Sequence, residues 1–160
     1  MRIFPKNQRA FLLGEETLKI VVALICIVML IYFLAMLYYA KVDSNKLRQA
    51  QALLTNSSES IKEKINNLDK INPVEQHLMN PKGWYLFSFV NGEEKPNSCA
   101  GLNCLCICPS KNFWNSQVEK CGDKGVCLIE ENLQKFSEIK IDQQFIIIRK
   151  VNNNIIIREK

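Results

Sequence analysis

An uninterrupted apolar run near the start of the chain constrains its fold more than any other feature. Residues Ile20 to Ala40 are 21 amino acids without one charge, and Lys19 and Lys41 close the run at its two ends. At a helical rise of about 1.5 Å per residue the run spans roughly 31 Å, which matches a hydrocarbon core of about 30 Å. A helix is the form in which a single segment satisfies all its backbone polar groups inside lipid. A buried helix of a soluble protein would carry a polar face, and this run has none, so we predict a transmembrane helix over residues 11–40.

The charges and cysteines around this run predict its orientation. Four Lys and Arg residues precede the run and three lie in the fifteen residues after it, a slight bias toward an N-terminus inside the cell. Six of the seven cysteines lie within residues 99–127, and an even number in a compact segment is typical of an oxidising compartment. We therefore expect a single-pass protein of the cell membrane with its C-terminal domain extracytoplasmic.

The composition after the membrane run argues against several classes of function. Residues 41–160 contain 17 Lys and Arg against 14 Asp and Glu, without a basic cluster, so nucleic acid is not an expected partner. The sequence has no Gly-rich phosphate loop and no Ser/His/Asp constellation, and its single histidine, His77, has no catalytic pattern around it. We expect neither an enzyme nor a bound cofactor.

The residues before the apolar run resemble the start of a type IV pilin or pseudopilin precursor. Arg2, Lys6 and Arg9 form a short basic leader that ends in Ala10, the apolar character begins at Phe11, and Glu15 stands four residues further on. The resemblance divides the N-terminal part into a leader over residues 1–10 and an assembly helix over residues 11–40.

That resemblance carries specific expectations about processing and assembly. In this family a prepilin peptidase cuts after the small residue, here Ala10, and leaves Phe11 as the new N-terminus. The helix then packs into a filament core with the help of assembly machinery, so self-association through residues 11–40 is expected. Glu15 would pair with the free α-amine of Phe11 in the neighbouring subunit, because a lone carboxylate in an apolar bundle is costly.

A second interpretation explains the same residues without cleavage. The apolar helix would be a permanent signal-anchor, and Glu15, Glu16 and Lys19 would be juxtamembrane charges on the cytosolic side. The protein would then be a single-pass surface protein whose C-terminal domain binds another protein or an extracellular ligand.

A helical stalk is predicted over residues 41–72. Apolar residues at spacings of three, four and seven mark one face of an amphipathic helix: Leu47, Ala50, Leu54, Ile61, Ile65 and Leu68. The pattern is interrupted after Asn56, which with Glu59 predicts a capping box that restarts the helix. Pro73 is expected to end it, and Val74 to Met79 to form a short helical turn.

The remaining residues, 73–160, are predicted to form a small head domain of antiparallel β-strands. The predicted strands are Trp84–Val90, Cys104–Cys108, Gly125–Ile129, Ile139–Ile141, Phe145–Lys150 and Ile155–Arg158, with the last two joined as a hairpin through Asn152–Asn154. Residues 91–102 and 109–124 are expected to be loops. The fold class is α+β: one sheet of four to six strands, with the stalk helix a candidate to cover one face.

Six cysteines are the only concentrated chemistry of the head: Cys99, Cys104, Cys106, Cys108, Cys121 and Cys127. If residues 104–108 form a strand, the three central sulfurs share one face and the two aliphatic side chains share the other. Strand neighbours two residues apart have parallel side chains and Cα atoms about 6.7 Å apart, so they are not expected to bond to one another. Six pairings remain, in which each central cysteine takes one of the outer three.

Structural disulfides are favoured over the alternatives for this cluster. Zinc sites prefer Cys pairs separated by two to four residues, and the central spacing here is tighter. A redox-active Cys-x-x-Cys pair is absent from the sequence. The cysteines are therefore predicted to staple the loops of the head to its sheet, without a metal.

Overall fold

The chain has an α+β fold with one long N-terminal helix and a β-rich C-terminal part. The computed structural model describes residues 8–69, 72–110 and 116–160, with side chains from residue 17 onward. The elements in chain order are α1 (Gln8–Gln51), a π-helical turn (Ala52–Asn56), α2 (Ile61–Asn66), β1 (Val74–Leu78), β2 (Trp84–Phe89), a 3-10 turn (Asn97–Cys99), β3 (Cys104–Pro109), α3 (Gln117–Lys124), β4 (Val126–Ile129), β5 (Ile139–Lys140), β6 (Gln144–Val151) and β7 (Asn154–Glu159). The chain divides into two compact units between residues 43 and 44.

The first unit is the apolar part of α1. Every large apolar side chain between Leu18 and Tyr39 is between 51% and 69% exposed, on all sides of the helix. Among the described residues, one helix is long and apolar enough to cross a membrane, judged by its length and composition. The predicted helix is therefore present, and it leaves its apolar surface without a protein partner within this unit.

The second unit begins with separate helical segments, whereas one continuous stalk helix was predicted. The chain bends after Asn56, and α2 starts again with Ser60 as its N-cap, whose hydroxyl accepts a hydrogen bond from the backbone N–H of Glu63 at 3.4 Å. The predicted cap at Asn56 is wrong, since its side-chain oxygen already accepts a hydrogen bond from Thr55 Oγ1 at 2.9 Å. The predicted helix end is also wrong, because α2 stops at Asn66 rather than continuing to Pro73.

These helical turns pack onto the strands and form one aliphatic core. The six apolar residues singled out between Leu47 and Leu68 are all members of this core, four of them buried and two partly buried. The strands contribute most of its other fully buried side chains, among them Leu86, Leu105, Ile107, Ile146 and Ile148. The helices therefore contact the sheets with the residues that the pattern marked.

The strands form two antiparallel sheets rather than the one that was predicted. The first has the order β1-β6-β7 and the second the order β4-β3-β2-β5. The helical turn predicted for Val74–Met79 is wrong, because these residues form strand β1. Gln76 and Leu78 are buried and alternate with Glu75 and His77, which are exposed and partly buried respectively. β1 pairs with β6 and is an edge strand of its sheet.

The other strand predictions are confirmed, and one helix was missed. β2 and β3 match their predicted ranges closely, and β6 and β7 form a hairpin in which Asn152 and Asn153 have φ of +49° and +68°. Two adjacent residues with positive φ are what a tight hairpin turn needs. The predicted loop 109–124 instead contains α3, which a capping box between Ser116 and Glu119 begins; residues 111–115 of that loop lie outside the described residues.

Candidate functional site

The residues predicted for cleavage and assembly lie at the start of α1. Ala10, Phe11 and Glu15 are within the first eight residues of the helix, and their side chains lie outside the described part of the chain, as do Arg2 and Lys6 of the leader. The structure thus gives these residues a helical backbone, and the contacts that the resemblance implies remain predictions.

The cysteines of β3 define a second core on the face opposite the aliphatic one. Cys104, Cys106 and Cys108 are completely buried on one face of the strand, whereas Leu105 and Ile107 are completely buried on the other. We call the first group the cystine core; its buried members are Phe87, Phe89, Cys99, Cys104, Cys106, Cys108 and Cys121. The predicted alternation of β3 is confirmed.

Three disulfides connect β3 to three other elements. Cys104 bonds to Cys99 on the 3-10 turn, Cys106 to Cys127 on β4, and Cys108 to Cys121 on α3. The Cα–Cα distances are 5.8, 4.1 and 5.1 Å respectively. This is one of the six pairings that the sequence left open, and no two cysteines of the central three are joined.

The bridge between β3 and α3 lies in a tightly packed corner. Gln117 Nε2 donates to the carbonyl oxygen of Pro109 at 3.0 Å and lies 3.3 Å from Cys121 Sγ. A Cβ added at Gly125 would lie 2.6 Å from the carbonyl oxygen of Cys121 and 2.8 Å from Cys108 Cβ. Glycine is required here by lack of space, and α3 is held against β3 by one covalent bond and one side-chain amide.

The sulfur atoms of the other two bridges form a single group. The Sγ atoms of Cys99, Cys104, Cys106 and Cys127 all lie within 4.8 Å of one another. Cys106 Sγ is 3.7 Å from Cys99 Sγ and 3.8 Å from Cys104 Sγ, although it is bonded to neither. The two disulfides are therefore in direct contact, and we refer to these residues as the four-sulfur cluster.

A groove beside β1 is the second feature with the shape of a site. It has a volume of about 540 Å³, and helical-turn residues form one side while strand residues form the other. The His77 and Phe145 rings stack on its strand side, with centroids 4.3 Å apart and planes 8° from parallel. Gln76 is 8% exposed, and its Oε1 has no hydrogen-bond partner among the described residues. A buried amide oxygen without a donor favours a ligand or water that supplies one.

The edge of β1 beside this groove presents backbone N–H and C=O groups that point away from β6. Lys150 of β6 exchanges hydrogen bonds with the Asn72 side chain on the β1 side of the sheet, which shows that the even-numbered residues of β6 face β1. Their partners on β1 are Val74, Gln76 and Leu78, so Glu75 and His77 direct their N–H and C=O groups away from β6. Gln76 Nε2 already donates to the His77 carbonyl at 3.1 Å.

A polar contact joins β2 and the loop after it to the segment between β4 and β5. Lys135 Nζ donates to Glu93 Oε2 at 2.8 Å and to the Ser88 carbonyl oxygen at 2.9 Å. The hydrogen bond from Lys135 is the main cause that holds the pKa of the Glu93 carboxyl below its ordinary value of 4.5. Both side chains are well exposed, so this is a surface contact rather than acid–base machinery.

No known family model, curated protein or solved structure matches this chain. The candidate sites are accordingly defined by their own geometry. Sequence reasoning located the cysteines and the apolar helix, and it missed the groove because β1 was predicted as a helical turn. The local signal for this strand is weak, because the polar Gln76 stands between Val74 and Leu78 at a position where a strand pattern needs an apolar residue.

Proposed function

We propose that this protein is a membrane-anchored, pilin-like structural subunit that assembles through its N-terminal helix. The observation that carries the proposal is the exposed apolar surface of α1 between Leu18 and Tyr39. Such a surface is stable only when lipid or other apolar helices cover it. A pilin-like life cycle supplies both in turn, first the membrane and then the helices of neighbouring subunits.

The disulfides support an extracytoplasmic position for the head. All six head cysteines are paired, and five of the six are completely buried. Disulfides of this kind form and persist in oxidising compartments. With the N-terminus inside, α1 crosses the membrane once, and the folded domain lies on the outer side.

Glu15 and Phe11 have the central role in the proposed assembly. Removal of residues 1–10 by a prepilin peptidase frees an α-amine at Phe11, and the Glu15 carboxylate of the next subunit neutralises it in an apolar bundle. Leaving either charge unpaired in such surroundings is strongly unfavourable, so the pair fixes the axial position of one helix against the next.

The first experiment is the intact mass and N-terminal sequence of the protein from its native membrane. We expect a mature start at Phe11. The second compares Glu15→Ala with Glu16→Ala, an adjacent carboxylate that serves as the matched control. Glu15→Ala should be exported but should not assemble into high-molecular-weight species, whereas Glu16→Ala should do both. An unprocessed Met1 together with equal behaviour of the two variants would overturn the proposal.

The groove favours one second candidate, a permanently anchored surface protein whose head binds another protein or an extracellular ligand. Its specific support is the unpartnered Gln76 oxygen beside the stacked His77 and Phe145 rings. A photo-crosslinking residue placed at Met79, which lines the groove and is 53% exposed, should capture a partner in cells. The matched position is Val151, which is 42% exposed at the end of β6. Equal capture at the two positions would rule this function out.

A further inference from the structure

The four-sulfur cluster brings together four cysteine sulfurs, which is the ligand set of a tetrahedral zinc centre. In a tetrahedral zinc centre each Zn–S bond is about 2.3 Å, which places neighbouring sulfurs about 3.8 Å apart. Cys106 Sγ already has this separation from Cys99 Sγ and Cys104 Sγ, at 3.7 Å and 3.8 Å. Reduction breaks the Cys99–Cys104 and Cys106–Cys127 bonds, so these two pairs can also move apart to this length. Three of the four cysteines are completely buried and Cys127 is partly buried, so water has little access.

Strand register and a tight turn also position these residues, in addition to their disulfides. Cys104 and Cys106 share one face of β3, and Cys127 lies directly opposite Cys106 in the register of β3 and β4. Cys99 is placed by the turn that follows it, in which Leu102 N–H donates to the Cys99 carbonyl at 2.9 Å. Lys95 Nζ donates to the Gly101 carbonyl at 2.9 Å, a further hydrogen bond in the same loop.

We propose that Cys99, Cys104, Cys106 and Cys127 bind one Zn²⁺ as a tetrathiolate when their two disulfides are reduced. The disulfide form and the zinc form are then alternative states of the same four residues. The inference does not rest on the proposed function, because it concerns chemistry that the head can perform in either membrane orientation.

Two molecules of a dithiol reductant together supply four electrons and four protons, break both S–S bonds, leave four thiols and are themselves oxidised to disulfides. Zinc binding then displaces the four thiol protons, because the thiolate is the form that coordinates metal. In the reverse direction an oxidant of the disulfide class removes four electrons, both S–S bonds form again, and Zn²⁺ is released.

The third disulfide provides an internal control. Cys108 is on the same strand and is as completely buried as Cys106, yet its bond to Cys121 lies outside the four-sulfur cluster. Cys106→Ser and Cys108→Ser therefore remove one sulfur each from neighbouring positions of β3. Only the first removes a proposed zinc ligand.

The experiment uses the full chain in detergent, reduced anaerobically with a phosphine and then titrated with Zn²⁺ alone. Wild type should bind one zinc per chain, and Co²⁺ in its place should give the intense visible bands of a tetrahedral thiolate site. Cys106→Ser should weaken zinc binding by at least about tenfold, whereas Cys108→Ser should change it by less than about threefold. Re-oxidation of wild type should release the metal in step with the loss of four thiols.

Two results would overturn the proposal. One is reduced wild-type protein that binds well under one zinc per chain. The other is equal weakening by Cys106→Ser and Cys108→Ser, which is the behaviour of an unfolded chain that binds metal through whichever thiols are free. Far-UV circular dichroism of the reduced, zinc-loaded protein checks the fold in the same samples, and a zinc-dependent gain in thermal stability would be seen only with a folded site.

Discussion

The two faces of β3 are stabilised in different ways. One face places Leu105 and Ile107 in an aliphatic core to which sixteen buried residues of the described chain belong. The other face belongs to a cystine core of seven buried residues, five of which are cysteines. Three disulfides join β3 on this face to the 3-10 turn, β4 and α3. Hydrophobic stabilisation grows with the apolar area removed from water, so the smaller face has less of it. Disulfides add stability on that face. A small domain can therefore be stabilised on one side by apolar packing and on the other by covalent bonds.

The largest effect should come from the aliphatic face. Leu105→Ala leaves a cavity beside Leu86 and Ile107, all completely buried, and should lower the free energy of unfolding by about 2–5 kcal/mol. Urea unfolding of the full chain measures this loss. Because no disulfide lies on this face, the loss should be the same with and without reductant. Leu102→Ala, at a position 44% exposed, is the control and should change stability by less than about 0.5 kcal/mol.

An intermediate effect should come from the cystine face. Gly125→Ala forces a methyl group against the carbonyl of Cys121 and the Cβ of Cys108, at a cost of about 1–3 kcal/mol. Gly122→Ala is the matched control within α3, since nothing lies within 4 Å of its added methyl. Unlike the loss at Leu105, this one should shrink on reduction, because breaking the Cys108–Cys121 bond lets α3 move away. An undiminished loss in the reduced protein would show that the bond does not set the spacing.

The smallest effect should come from the exposed contact between Glu93 and Lys135, which belongs to neither core. Since Lys135 lowers the folded-state pKa of Glu93, this carboxylate stabilises the fold above its ordinary pKa near 4.5, and the contribution is lost as the pH falls through the folded value. Glu93→Gln should therefore lower the melting temperature slightly at pH 7, and the gap should close in acid. Glu94→Gln, at the exposed neighbour, is the control. A gap that persists at acidic pH would assign the effect to packing.

Much of the head could be predicted because its strands carry strong local patterns. The alternation of cysteine with aliphatic residues in β3 predicts which side chains lie on each of its two faces. The adjacent asparagines of the β6–β7 turn fit its positive φ angles. α3 was missed because it has no apolar stripe: Cys121 is its buried residue, and a disulfide rather than a hydrophobic face holds it. β1 was missed because a buried glutamine stands where the strand pattern needs an apolar residue.

The candidate sites were also only partly predictable from local sequence patterns. Spacing alone reduced the disulfide pairings to six, and the choice among them depends on which residues of β4 and α3 lie opposite β3 in three dimensions. The groove beside β1 depends on helical turns and strands that are separated along the chain, so no local pattern contains it. The restart of the helix at Ser60 rather than Asn56 depends on a competing hydrogen bond from Thr55.

The position of Cys127 opposite Cys106 has a consequence for how the chain reaches its fold. A shift of β4 by one residue would turn Cys127 to the aliphatic side and bring Leu128 to the cystine side. No sulfur would then lie near Cys106 from that strand, and the bond could not close. Disulfide formation is therefore selective for the correct register. The Cys106–Cys127 bond forms only when β3 and β4 are correctly aligned, and a misaligned pair of strands stays unbonded and can separate.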